Sequence, residues 1–152
     1  ILLIAALLLG AAGYAVWKRW RSLRRKPSAA APPRPAIEVF MEKAEFLEAY
    51  LSGDSPAPDH FALELSMAFR RMISSLYDFD AAEMTSSEIL NLIVAKRKGL
   101  TSERYGSSLE GIMALWDMTK FAEFAPSAET LRVNLSETIA LAGKMWRDAH
   151  GI

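Results

Sequence analysis

Cysteine is absent from all 152 residues. This excludes disulfides, thiolate zinc sites and cysteine nucleophiles, and it agrees with a reducing compartment. Histidine is nearly absent as well. His60 and His150 are the only two, too few for a histidine-rich metal site. Charge is missing from the first seventeen residues, Ile1 to Trp17, and acidic residues are missing everywhere before Ile37. The signatures G-x-x-x-x-G-K-[ST], G-x-S-x-G and H-E-x-x-H do not occur, so nothing points to phosphate-loop, serine-hydrolase or zinc-protease chemistry. No cofactor is expected, and the chain does not read as an enzyme.

The net charge of zero divides unevenly along the chain. Seven of the eighteen basic residues (Lys18, Arg19, Arg21, Arg24, Arg25, Lys26 and Arg34) precede Ile37, and all eighteen acidic residues follow it. Eleven basic against eighteen acidic residues leave 37–152 with a net charge of −7. A domain of that balance does not suit nucleic acid, because neutralising phosphates requires a basic face.

The run Ile1 to Trp17 has no polar face and is followed at once by KRWRSLRRK. As a helix it spans roughly 25 Å, a little short of a hydrocarbon core of about 30 Å. Because the chain opens at Ile1 without an initiator methionine, it reads as a fragment whose upstream residues complete the span. A secretory signal carries its positive charge before the apolar run, not after it. The expectation is therefore a transmembrane helix over 1–17, with Trp17 and Trp20 at the interface. Lys18, Arg19, Arg21, Arg24, Arg25 and Lys26 would lie against lipid headgroups on the cytoplasmic side. This gives a single-pass protein of the inner membrane, with membrane lipid as one partner and a cytoplasmic C-terminal domain. Residues 18–36 form a basic stop and a Pro/Ala-rich linker. Its PSAAAPPRPA stretch is a semi-rigid spacer.

From residue 37 to 152 the apolar pattern is helical throughout, and the expected fold is all-α, a compact bundle of about five helices. The first covers 37–51, with Ile37, Phe40, Met41, Ala44, Leu47 and Leu51 on one stripe. The second starts with Asp59 as N-cap and carries Phe61, Leu65, Ala68, Phe69, Met72 and Leu76 inward. The third opens on a T-x-x-E capping box, Thr85 and Glu88, in which two backbone donors are satisfied reciprocally. It closes on Lys96, Arg97 and Lys98 at the negative helix end, with Gly99 as the stop. The fourth covers about 102–123, with Leu109, Ile112, Met113, Trp116 and Phe121 inside, and Gly106 and Gly111 predict a break near Ser107. The fifth is capped by Ser127 and turns Leu131, Leu135, Thr138, Ala142, Met145 and Trp146 inward.

The charged constellations read as structural. Asp59 and His60 are adjacent, so their side chains diverge. Asp78 and Asp80 lack the other oxygen ligands of a calcium loop. Asp117 and Lys120 form an i, i+3 pair between aromatic residues, and the expectation is a partly desolvated ion pair joining helices four and five.

Three segments taken in order look familiar: Phe69-Arg-Arg-Met-Ile-Ser-Ser-Leu76, Met84-Thr-Ser-Ser-Glu-Ile-Leu90, and Trp116-Asp-Met-Thr-Lys-Phe-Ala122 followed by Pro126-Ser127. Placed behind an apolar run and a basic stop, they resemble the cytoplasmic tail of BatD-like proteins, the aerotolerance-operon membrane proteins of bacteria. The resemblance implies β-sandwich domains upstream and no enzyme active site. It implies an adaptor or scaffold beside a MoxR-type ATPase or a von Willebrand A-domain protein, in envelope or stress maintenance. On the residues alone, the expected mechanism is that an acidic helical face close to the membrane docks a protein partner. The alternative is a membrane-tethered regulator with a helix-turn-helix-like core built from helices two to four.

Overall fold

The helical periodicity of residues 37–152 becomes five α-helices and one 3₁₀ turn, with no strand among the described residues. The computed structural model describes residues 34–77, 79–96, 101–121 and 124–152, without the side chains of 94–96 and 101–104. The expected transmembrane helix, the interface residues Trp17 to Lys26, most of the linker, and the Arg97-Lys98-Gly99 stop lie outside these residues. Among the described residues no helix is long and apolar enough to cross a membrane.

Helix α1 spans Ala36–Leu51, α2 Pro58–Tyr77, a 3₁₀ turn Ala81–Glu83, α3 Ser86–Lys96, α4 Thr101–Lys120 and α5 Ala128–His150. Residues Arg34–Ile152 form one compact unit. Within it α2 is central and packs on α1, α4, α5 and the 3₁₀ turn, while α3 lies on α4.

The stripe of α1 is buried at Phe40, Ala44, Leu47 and Leu51, with Ile37 and Met41 partly covered at its edge. Its last carbonyl, Leu51 O, accepts a hydrogen bond from Arg132 of α5 at 3.2 Å. The helix has no basic residue in its own last turn, so a cation from another helix meets the negative end. In α2, Phe61, Leu65, Phe69 and Met72 are buried, together with Ala62, Ser66, Ile73 and Tyr77. Burial wider than one stripe follows from packing against three helices.

The α2 start differs from expectation. Asp59 is not the N-cap. The first bond runs from Phe61 N–H to Ala57 O at 3.1 Å, which places Pro58 at the first helical position and Asp59 one residue further in. Proline has no N–H to leave unsatisfied there, and its fixed φ suits the site. The Ala57 N–H donates to the Tyr50 hydroxyl at 2.8 Å, so α1 holds the turn.

Three further differences lie in α4 and α5. Helix α4 is continuous from Thr101 to Lys120, with no break near Ser107. Tyr105, Leu109, Ile112 and Met113 are buried along it, and that burial outweighs about 1 kcal/mol of helix propensity lost at each glycine. Phe121 is 73% exposed, not internal. Five residues beyond Trp116 is about 140° around the helix, which carries it off the buried face. Trp146 is only half-buried. It follows Met145 by about 100° and sits at the stripe's edge, where its ring stacks on His150 at 4.1 Å.

A short chain of contacts ties four helices together. The Phe69 ring meets Phe40 edge-on at 6.1 Å and Trp116 at 5.7 Å. The Trp116 indole N–H then donates to Asn134 Oδ1 at 2.8 Å, fully inside. Phe40, Phe69, Trp116 and Asn134 stand on α1, α2, α4 and α5 in turn. The C-terminus is closed by Gly151 at φ +70°, whose N–H bonds Arg147 O; only a residue free of Cβ strain takes that conformation readily.

Candidate functional site

The polar side chains gather where α2, the 3₁₀ turn, α3 and α4 meet. Arg70 leaves α2 and donates to the carbonyls of Ala81, at 3.3 Å, and Met84. Its second amino group donates to Ser86 Oγ at 3.3 Å. Ser86 in turn donates to Asp117 Oδ2 at 2.7 Å, and Asp117 Oδ1 pairs with Lys120 at 3.0 Å. One turn along α2, Ser74 Oγ accepts the Ala81 N–H at 3.0 Å. Two side chains of α2 thus clamp the whole connector to α3.

This arrangement corrects the expectation for Asp117 and Lys120. The pair forms, but it joins α4 to α3 and α2, not to α5. The i, i+3 geometry holds Lys120 beside Asp117, while the free carboxylate oxygen is taken by the first residue of α3. Burial pushes the Asp117 carboxyl up. That is outweighed by the hydrogen bonds from Ser86 and Lys120 and by the charges of Lys120 and Arg70, which together hold it below the ordinary aspartate value.

Thr85 and Glu88 meet at the start of α3. The Thr85 N–H donates to Glu88 Oε2 at 2.8 Å and the Glu88 N–H donates to Thr85 Oγ1 at 3.3 Å. The Thr85 backbone and hydroxyl donors hold the Glu88 carboxyl below its usual range. Asp80 caps the 3₁₀ turn by accepting the Ala82 N–H at 3.2 Å. His60 packs edge-on against Tyr50 at 5.5 Å, and His150 is taken up by Trp146. Among the described residues no group of three His, Asp or Glu side chains converges as a metal site would.

Two clefts run along the outer edge of α2. One, of about 390 Å³, lies against α1 and is lined by Val39, Phe40, Lys43, Glu64, Met67 and Arg71 among others. The other, of about 280 Å³, is lined by Leu63, Met67, Arg70, Arg71 and Lys120 with Ser66 and Ala82. Met67 and Arg71 belong to both. In the first, Lys43 pairs with Glu64 at 2.6 Å and also lies over the Phe46 ring at 4.7 Å. That Lys43 hydrogen bond is the main cause lowering the Glu64 carboxyl. A third cleft, of about 490 Å³, opens between α4 and α5 over Ser107, Ser108, Gly111 and Ala140, with Glu137 and Lys144 on its rim.

Arg70, Ser74 and Asn134 carry roles that sequence reading missed. Asn134 left one signal: it stands beside Leu135 and four residues before Thr138 on the inward stripe of α5, where an amide needs a buried partner. Arg70 left none beyond its place in the Phe69-to-Leu76 segment. No protein-family model, no curated protein and no solved structure matches this chain.

Proposed function

We propose that this is a non-enzymatic, membrane-anchored adaptor whose helical domain docks a protein partner on the cytoplasmic side of the inner membrane. The observation that carries the reading is the charge order of the chain. Seventeen uncharged residues are followed by six Lys and Arg within 18–26, a proline-rich spacer, and an acidic segment that forms a compact helical unit of its own from Arg34 onward. The apolar run supplies the anchor, the basic collar holds against phosphate headgroups, and the spacer lifts the bundle off the surface. By its resemblance to BatD-like tails, the partner is a MoxR-type ATPase or a von Willebrand A-domain protein.

The alternative of a tethered helix-turn-helix regulator gains no support from α3. Its first turn presents Glu88 and commits Ser86 to Arg70 and Asp117, where a reading helix offers donors to bases.

C-terminal fusions to green fluorescent protein and to alkaline phosphatase test the topology. The expected result is a carbonate-resistant membrane protein with a fluorescent first fusion and an inactive second, released into the soluble fraction on deletion of 1–17. A soluble full chain, or an active phosphatase fusion, sinks the anchored reading. Calorimetric titration of the full chain with the two partner types tests the adaptor role, and absence of binding to both removes it.

A further inference from the structure

We infer that the outer edge of α2 is the docking face, and that its occupant is an acidic, amphipathic helical segment of the partner protein. This rests on the adaptor reading and changes the face it uses. The sequence suggested an acidic face; the structure offers a basic, apolar one.

Leu63 and Met67 stand one turn apart on α2 and are 45% and 40% exposed, and Val39, 46% exposed, faces the same cleft as Met67 from α1. Around them the local charge inverts. Five cations (Arg34, Lys43, Arg70, Arg71 and Lys120) line the two clefts. Against Glu64 and the paired carboxylates Glu42 and Asp117 they leave this edge with a net charge of +2, on a compact unit, 34–152, whose net charge is −6. Four of the five are engaged: Arg34 with Glu42, Lys43 with Glu64, Arg70 with the α2–α3 connector, Lys120 with Asp117. Arg71 is exposed; no hydrogen bond or ion pair holds it among the described residues, and its charge acts on Glu64 only at longer range. It sits on the wall common to both clefts, beside Met67.

An apolar strip edged by cations selects a ligand with apolar side chains on one face and carboxylates flanking them. The apolar contacts supply buried area, and the charges set register and reject basic competitors. Methionine adapts its shape to different apolar side chains, as a docking strip requires. A helix about 10 Å across fits along the strip. A planar bilayer fills no groove, whereas the two clefts that meet at Met67 and Arg71 follow the length of α2, as a helix-sized ligand requires.

The test uses the full chain in zwitterionic nanodiscs, with empty discs as reference. The probe is a fluorescent Leu/Glu amphipathic peptide of about 18 residues, roughly 27 Å of helix. A scrambled peptide of the same composition and a Leu/Lys version serve as controls, and binding is read by anisotropy. Saturable binding of the patterned acidic peptide alone is expected. Met67→Glu and Arg71→Glu should each weaken it about tenfold or more, while Val133→Glu on α5 should change it by less than about twofold. Circular dichroism verifies that each variant remains helical. Equal binding of all three peptides, no saturable binding, or indifference to both α2 substitutions overturns the proposal. Anionic vesicles form a further arm: if the chain binds them through Met67 and Arg71 and ignores the peptide, the face is a lipid contact and the proposal fails. Native-partner binding that survives both substitutions overturns this face while leaving the adaptor reading standing, so the two failures are distinguishable.

Discussion

Arg70 and Asp117 show how much one side chain can decide. Arg70 donates to two carbonyls of the α2–α3 connector, and Ser86 passes its contact on to Asp117. The carboxylate of Asp117 therefore supports both the start of α3 and the end of α4. Because its folded pKa lies below the ordinary aspartate value, its contribution is complete above the unfolded aspartate range. It is lost as pH falls through the folded pKa. Asp117→Asn should lower the urea midpoint at neutral pH. The gap to the wild type should close as the solution is acidified below the aspartate range. A gap that stays constant with pH would show that the charge contributes nothing.

At the scale of one element, α4 separates propensity from packing. Gly106 and Gly111 weaken it as an isolated helix, yet it runs unbroken because Leu109, Ile112, Met113 and Trp116 are buried along one side. A Cβ built on Gly111 meets nothing within 4 Å. Gly111→Ala should therefore stabilise the domain by about 0.5–1 kcal/mol, since it removes backbone freedom from the unfolded chain at no steric cost. Chemical denaturation measures this directly, and a destabilised variant would mean that the cleft between α4 and α5 needs the missing side chain. The capped ends behave differently. Thr85 with Glu88 and Ser127 with Thr130 are local arrangements, set by residues three apart, and they were readable without the fold.

The whole domain hangs on contacts between α2 and its neighbours. Phe69 touches Phe40 on one side and Trp116 on the other, and Trp116 reaches Asn134. Removing the Phe69 ring opens a cavity at the crossing of three helices. Phe69→Ala should cost about 3–5 kcal/mol, a large part of the roughly 5–15 kcal/mol that stabilises a domain of ordinary size. Thermal unfolding followed by circular dichroism should show a broad loss at much lower temperature. A midpoint within a few degrees of the wild type would mean that the ring is not central to the core. The docking face belongs to this scale as well. Val39, Leu63, Met67, Arg71 and Lys120 come from three helices, and only their assembly places apolar side chains among cations.

The sequence by itself determined the helical class, the places where the helices lie, two of their caps and most of the inward stripes. These depend on spacing within a few residues, and a period of 3.6 reports them directly. It misplaced Asp59 at the start of α2, and it turned Phe121 and Trp146 inward although they stand off the buried faces of α4 and α5. The tertiary structure alone decided that α2 is central, that α4 stays whole across its glycines, and that Asp117 serves α3. It also decided that the basic edge of α2 lies open on an acidic domain. These depend on contacts between elements far apart along the chain: α2 packs on α1, α4 and α5, and the Ser86–Asp117 bond joins residues 31 apart. Which distant side chain meets an amide, a guanidinium or an apolar edge is a property of how helices cross, and no local pattern encodes it.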